Sequence, residues 1–222
     1  MRIAVVVYDG TEPIELAVIG TLSMAKRVTP ELSYFTVAQN GGTVKFQNGL
    51  RVEVDYSFDQ APSADLVIIT GGPGWTEQVE NPHMLSFIKG YHRAGATIAS
   101  VCTGGLIVAA TGLLDGRRAT TKFQVGEGEE SPVTTLARQH TGVNAIHALV
   151  VDEGDIVTGG GVTLGIDLTL YLLERYLGSQ VSNEVARIME YSAARAANHE
   201  RLCSLTDTAF NSTNLNEKRD AV

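Results

Sequence analysis

The chain has 222 residues, a formal net charge of −8, and 44% hydrophobic against 19% charged residues. That length suits one α/β domain able to bury about 70% of the surface its unfolded chain exposes, and the composition excludes a disordered polymer. The acidic balance, with no cluster of Lys and Arg and no apolar run of about 18 residues, argues against a nucleic-acid surface and a membrane span. Only two cysteines occur, Cys102 and Cys203, and the chain opens directly on a strand with no visible leader. A cytoplasmic, reducing setting is therefore expected rather than a disulfide scaffold.

Ile3 to Val7 is a β-branched run of the kind buried on both faces of a sheet. Asp9-Gly10-Thr11 breaks it, and a helix is expected from about Glu12 with Pro13 in its first turn. Leu32 to Ala38 reads as a second strand. Val44 to Phe46 and Arg51 to Val54 flank Asn48-Gly49 and predict a hairpin at the sheet edge. Asp65 to Thr70 is a buried strand running into Gly71-Gly72-Pro73-Gly74. A helix over Pro82 to Ala94 and a strand over Thr97 to Val101 follow, and Cys102 comes next.

A helix opens at once over Gly104 to Ala110. Arg118 to Thr121 predicts a short strand, Pro132 to His140 a helix, and Ala148 to Val151 with Ile156 to Thr158 a second hairpin. Gly159-Gly160-Gly161 leads into an apolar helix, Thr163 to Leu177, and a last helix is expected over Val181 to Asn198. The pattern predicts one domain over residues 1–200 and a loose polar tail over 201–222. Strands alternating with helices predict a mostly parallel sheet with helices on both faces.

In such sheets ligands bind at the carboxyl ends of the strands. Three strand ends carry unusual residues: the segment with Glu12 and Glu15, the Gly71–Gly74 turn, and Cys102-Thr103-Gly104-Gly105. A thiol between a strand and a helix start sits in the positive end of the helix dipole, which predicts a pKa below the usual value of about 8.5. The tight turn with small neighbours has the form of a nucleophile elbow. The plainer alternative is a small buried hydrophobe.

Glu15 lies in an apolar stretch. It is either a proton donor whose pKa is raised by burial or, more commonly for such spacing, a solvated helix-face residue. Gly71, Gly72 and the Thr103 amide have the makings of an oxyanion hole, or form a turn that needs glycine. Trp75 either walls a pocket or packs, and Asp167 is either a buried support or a helix-start acid. None of the five histidines sits beside the Cys turn, no metal-ligand spacing appears, and no cofactor is expected.

Taken together, Pro13-Ile14-Glu15-Leu16, Ile69 to Gly74, Ala99 to Gly104 and Gly160 to Asp167 resemble the ThiJ/PfpI superfamily, with its class I glutamine amidotransferase-like fold. The Cys-Thr-Gly turn, Thr111 to Gly116, Ala119-Thr120-Thr121 and the Gly-Ile-Asp helix are similar to the isonitrile hydratase branch, itself similar to the ligand-binding halves of AraC-type regulators. The resemblance implies Cys102 as nucleophile, Glu15 as the carboxyl that bonds its thiolate, and Gly72 and Thr103 as oxyanion donors. Gly71, Trp75, Lys122 and Asp167 join the expected substrate-binding set. The branch carries Asp where this chain has Glu15, and relatives carry His where it has Thr103 or Lys122. The resemblance implies hydration of isonitriles to N-substituted formamides. A ligand or redox sensor using Cys102 and a glyoxalase or deglycase activity on 2-oxoaldehydes stand as alternatives. It also implies a homodimer, with Ile14, Val18 or Leu22 of the first helix expected to meet the partner.

Overall fold

A computed structural model describes residues 1–206. Its strands are β1 (Arg2–Val6), β2 (Ser33–Ala38), β3 (Gly42–Lys45), β4 (Arg51–Val54), β5 (Tyr56–Ser57), β6 (Leu66–Ile69), β7 (Thr97–Ser100), β8 (Arg118–Ala119), β9 (Asn144–Ala145), β10 (Val150–Asp152), β11 (Ile156–Gly159) and β12 (Ser204–Thr206). Its helices are α1 (Leu16–Ala25), α2 (Trp75–Gln78), α3 (Pro82–Arg93), α4 (Gly104–Ala110), α5 (Pro132–Gln139), α6 (Leu164–Leu177), α7 (Ser179–Ile188) and α8 (Ser192–Arg201). Among the described residues no helix is long and apolar enough to cross a membrane.

The main sheet has eight strands in the order β12-β10-β11-β7-β6-β1-β2-β5. Every neighbouring pair is parallel except β10 with β11. The period-2 geometry of a strand sends alternate residues to opposite faces. In β1 and the two residues after it, Ile3, Val5 and Val7 enter one core and Ala4, Val6 and Tyr8 the other. The first core is closed by Val18 and Leu22 of α1, Leu168 and Leu172 of α6, and Val185 of α7. The second is closed by Ile88 of α3, Leu106 and Ile107 of α4, and Leu136 of α5. Such a doubly covered sheet accounts for the continuous apolar runs of its strands. Between β1 and β6 the strand order reverses, and this switch point opens the crevice where such sheets bind ligands.

Four expectations are corrected. The β3–β4 hairpin is not at the main sheet's edge. It forms its own two-stranded sheet, stitched to the turn after β1 by Gly10 N–H to the Lys45 carbonyl and Gln47 N–H to the Thr11 carbonyl, each 2.9 Å. The helix expected over 181–198 is two helices, α7 and α8, because Glu190 takes a left-handed φ of 55° between them. Val18 and Leu22 are not free for a partner: both are buried inside this subunit, and only Ile14 of that set is exposed. The expected loose tail begins too early, since Ser204–Thr206 pairs in parallel with Val150–Asp152. The rest of that tail lies outside the described residues.

The β12 pairing has a measurable consequence. Leu205→Pro removes a backbone donor from the ladder, and each bond lost is worth about 1 kcal/mol. Amide exchange along β10, including Leu149, whose N–H donates to the Cys203 carbonyl at 2.8 Å, is expected to accelerate by roughly fivefold, with β6 and β7 unchanged. Unaltered exchange at Leu149 would show that β12 holds nothing.

A candidate active site at the Cys102 turn

The three strand ends meet. Cys102 follows β7 with a φ of 53°, a left-handed conformation costly for a residue with a Cβ. The surroundings over-determine it. Its N–H donates to the Gly160 carbonyl at 3.1 Å and its carbonyl accepts the Thr121 hydroxyl. Gly71 lies so near that a Cβ there would stand 2.6 Å from the Cys102 Cβ, and a Cβ on Gly104 would stand 2.3 Å from the Ile69 carbonyl oxygen. Gly72, at a φ of 143°, leaves no room for a Cβ between the Gly10 carbonyl and the Glu12 amide. Glycine at these positions is what lets three loops share one small volume.

Inside that volume Glu15 is 2% exposed and Cys102 4%. Glu15 ends a 3₁₀ turn, Pro13–Glu15, before α1, and is not the solvated helix-face residue that its spacing favours. Neither of its carboxyl oxygens closes a hydrogen bond of ordinary geometry. Burial therefore pushes its pKa up to about 7, while the Gly71 amide and the Cys102 thiol facing it favour the charged form.

The thiol moves the opposite way from the expectation. Burial, with the Glu15 carboxylate beside it, pushes Cys102 up to about 12, although the Val162 and Thr103 amides donate to the sulfur. The dipole of the seven-residue α4 is outweighed because the sulfur is out of water and its nearest ionisable neighbour is an acid. The two groups titrate as a pair, which holds one proton over the range between those values.

Thr103 turns its hydroxyl to Gly72: the Gly72 N–H donates to Thr103 Oγ1 at 2.8 Å, and that hydroxyl donates to the Gly72 carbonyl at 3.2 Å. The remaining expected residues make other contacts. Lys122 packs its stem on Gly161. Trp75 opens α2 and packs against the α3–α4 core. Asp167 is a buried support: one of its oxygens accepts the Tyr191 hydroxyl at 2.8 Å and the Asn198 amide at 2.9 Å, tying α6 to the α7–α8 corner.

Two residues at the site were not among the expectations. Tyr8, just past β1, is buried with its hydroxyl donating to the Thr70 carbonyl at 3.1 Å. Burial and the Glu15 and Cys102 charges hold its pKa above the usual value. Val162 takes a φ of 59° and aims its N–H at the thiol. The signal for Val162 was the glycine triplet before it, which marks a fourth strand end.

The profile of the DJ-1/PfpI family matches residues 1–175. The chain belongs to the DJ-1/PfpI family. It is 31% identical over 165 residues to an isonitrile hydratase of Pseudomonas putida, a match covering 74% of this chain and 68% of that one. It is 27% identical over 184 residues to the HTH-type transcriptional regulator GbdR of Pseudomonas aeruginosa, but spans only 48% of that protein. The fold is that of DJ-1beta from Drosophila melanogaster, with a TM-score of 0.73 at 20% identity, covering 86% of this chain and 98% of that one.

Two outcomes follow from the buried pair. The folded protein holds the Glu15 proton more tightly than the unfolded chain, whose ordinary value is 4.5. The associated stability is complete below about 4.5 and is lost as pH rises through about 7. That gap corresponds to roughly 3 kcal/mol. Glu15→Gln, neutral throughout, is expected to gain up to that amount relative to the parent in urea unfolding between pH 4.5 and pH 8. A difference that stays constant with pH would refute the burial argument.

For the thiols, iodoacetamide at pH 8 is expected to modify exposed Cys203 before Cys102. Glu15→Gln is expected to speed Cys102 labelling by removing the adjacent charge. Faster labelling of Cys102 than of Cys203 in the parent would contradict the raised thiol.

Proposed function

We propose that this chain, acting as a homodimer, is a cysteine-dependent hydratase that converts small isonitriles to N-substituted formamides. The single observation that carries this reading is the buried Glu15–Cys102 pair, which holds one proton in the range where the enzyme would work. The electrophile of an isonitrile is its terminal carbon, and addition there needs a nucleophile and a proton delivered to the same atom. As the sulfur bonds to that carbon, the pair's proton passes through the Glu15 carboxyl to it, giving a thioimidate, R–N=CH–S–Cys102. Water adds to the thioimidate carbon. The C–S bond then breaks, releasing R–NH–CHO and returning the proton to the pair. A carboxyl titrating near 7 suits general acid–base work of this kind.

The Pseudomonas putida relative supports the reading through its name, isonitrile hydratase. The raised thiol counts against a redox sensor, because oxidants attack the thiolate. A 2-oxoaldehyde activity would leave Glu15 alone as base.

The one-proton state forms as the first proton leaves the pair. The value of kcat/KM for a small isonitrile is therefore expected to rise with pH through about 7 and level off above it. Formamide production followed by proton NMR provides the assay. Cys102→Ala should abolish turnover, and Glu15→Gln should reduce it by roughly 10²- to 10⁴-fold. The reading fails if no isonitrile yields a formamide while methylglyoxal gives Cys102-dependent lactate.

A further inference from the structure

The stem of Lys122 lies at the rim of the Cys102 turn. Both residues that flank Gly161 are bonded to Cys102: the Gly160 carbonyl accepts its N–H at 3.1 Å, and the Val162 N–H donates to its sulfur. Lys122 packs directly on the glycine between them. A Cβ on Gly161 would stand 2.6 Å from the Lys122 Cβ and 2.7 Å from its Cγ. The residue before Lys122, Thr121, donates its hydroxyl to the Cys102 carbonyl. Lys122 and the segment it packs on are thus fixed to the nitrogen, the carbonyl and the sulfur of one residue.

Lys122 is half-buried, yet its ammonium bonds no carboxylate or carbonyl among the described residues. The chain has a net charge of −8, but the acids that follow Lys122 are turned elsewhere. Glu129 accepts the Gly126 N–H at 3.1 Å, and Glu130 accepts the Thr135 hydroxyl at 2.8 Å and the Arg138 guanidinium at 2.9 Å. The residue after Lys122, Phe123, stacks on His147 with ring centres 5.2 Å apart. The charges that move Glu15 and Cys102 are those of acids, not of Lys122. The ammonium therefore stands off the sulfur, at the reach of a substituent rather than of the reacting carbon. A lysine with a packed stem and an unmatched head is a point cation available to a mobile anion.

We propose that Lys122 binds an anionic group on the substrate's substituent, so that the Cys102 thiol receives isonitriles carrying a carboxylate in preference to neutral ones. The naming of isonitriles rests on the hydratase reading; the anion site beside the thiol does not. A carboxylate drawn to Lys122 keeps away from Glu12 and Glu15, the two acids whose charges meet at the pair, and leaves the terminal carbon to the sulfur. One partly exposed ion pair of this kind is worth about fivefold in binding, and salt weakens it.

Two pairs of probes, each matched in size and differing in charge, test this on the full chain. The first is isocyanoacetate and its methyl ester. Lys122→Gln is expected to lower the acid-to-ester ratio of kcat/KM about fivefold, through KM rather than kcat. Lys122→Arg should restore the ratio, and about 0.5 M sodium chloride should narrow it in the parent. The second pair, iodoacetate and iodoacetamide, reads the site without turnover. At pH 8 the sulfur bonds to the methylene carbon, iodide leaves, and the thiol proton passes to Glu15. Exposed Cys203 in the same molecule corrects for the intrinsic reactivity of each reagent. Relative to Cys203, the iodoacetate-to-iodoacetamide rate ratio at Cys102 is expected to fall about fivefold in Lys122→Gln and to return in Lys122→Arg. Mass spectrometry of the digested protein measures both thiols.

A Cys102 ratio that Lys122→Gln leaves unchanged, in a protein with native circular dichroism, would overturn the proposal. So would an equal loss of hydration for isocyanoacetate and its ester. If no isonitrile gives a formamide but the iodoacetate ratio still depends on Lys122, the hydratase reading falls and the anion site stands.

Discussion

Everything at the Cys102 turn depends on burying an acid next to a thiol. Desolvation penalises the charged form of each, and the Glu15 charge further penalises the thiolate. The cheapest arrangement keeps a proton between them, which is why Glu15 rises to about 7 and Cys102 to about 12. The sulfur is prepared for attack by having a proton acceptor at hand, rather than by being ionised in advance. This differs from a reactive cysteine activated by a neighbouring cation, where the thiolate is present before the substrate arrives. Here nucleophile and acid are two ends of one titrating unit.

That pair exists only because the backbone around it is packed without side chains. A Cβ on Gly71, Gly72 or Gly104 would fall within 2.6 Å of a neighbouring atom. The left-handed Cys102 is the strained residue that Gly71 makes room for. The strain is opposed by the bonds from Cys102 to Gly160 and from Thr121 to Cys102, and by the double-faced core beneath. Helix α6 contributes at both ends of this arrangement. The Val162 amide just before it meets the sulfur, and Asp167 in its first turn fastens it to Tyr191 and Asn198.

The parallel core was legible because a strand buried on both faces leaves a run such as Leu66 to Ile69, with no polar alternation to confuse it. The breaks were harder. Glu190 turns left-handed with no glycine to mark the spot, so two helices looked like one. A three-residue edge strand in a polar stretch carries too little pattern to stand out. At the site, strand-end logic located Cys102, Glu15, Gly71, Gly72 and Thr103, because the topology brings those ends together. The direction of the thiol's shift was not legible. It depends on how deeply two side chains are enclosed and on the sign of the nearest charge, and both arise only once distant loops have folded together. For the same reason Tyr8 passed as ordinary strand sequence and Thr103 was read only for its amide.

The position of β12 at the end of the sheet has a bearing on how the chain is made. Its partner, β10, leaves the ribosome some fifty residues earlier, as the numbering of Val150 and Ser204 shows. Until Ser204–Thr206 emerges, β10 has β11 on one side and an open row of backbone donors and acceptors on the other. An exposed edge of that kind is a template for pairing with another nascent chain. The last described strand therefore covers β10 and becomes the edge itself, and a message stalled between α6 and β12 would yield a product with a complete Cys102 turn and β10 still bare.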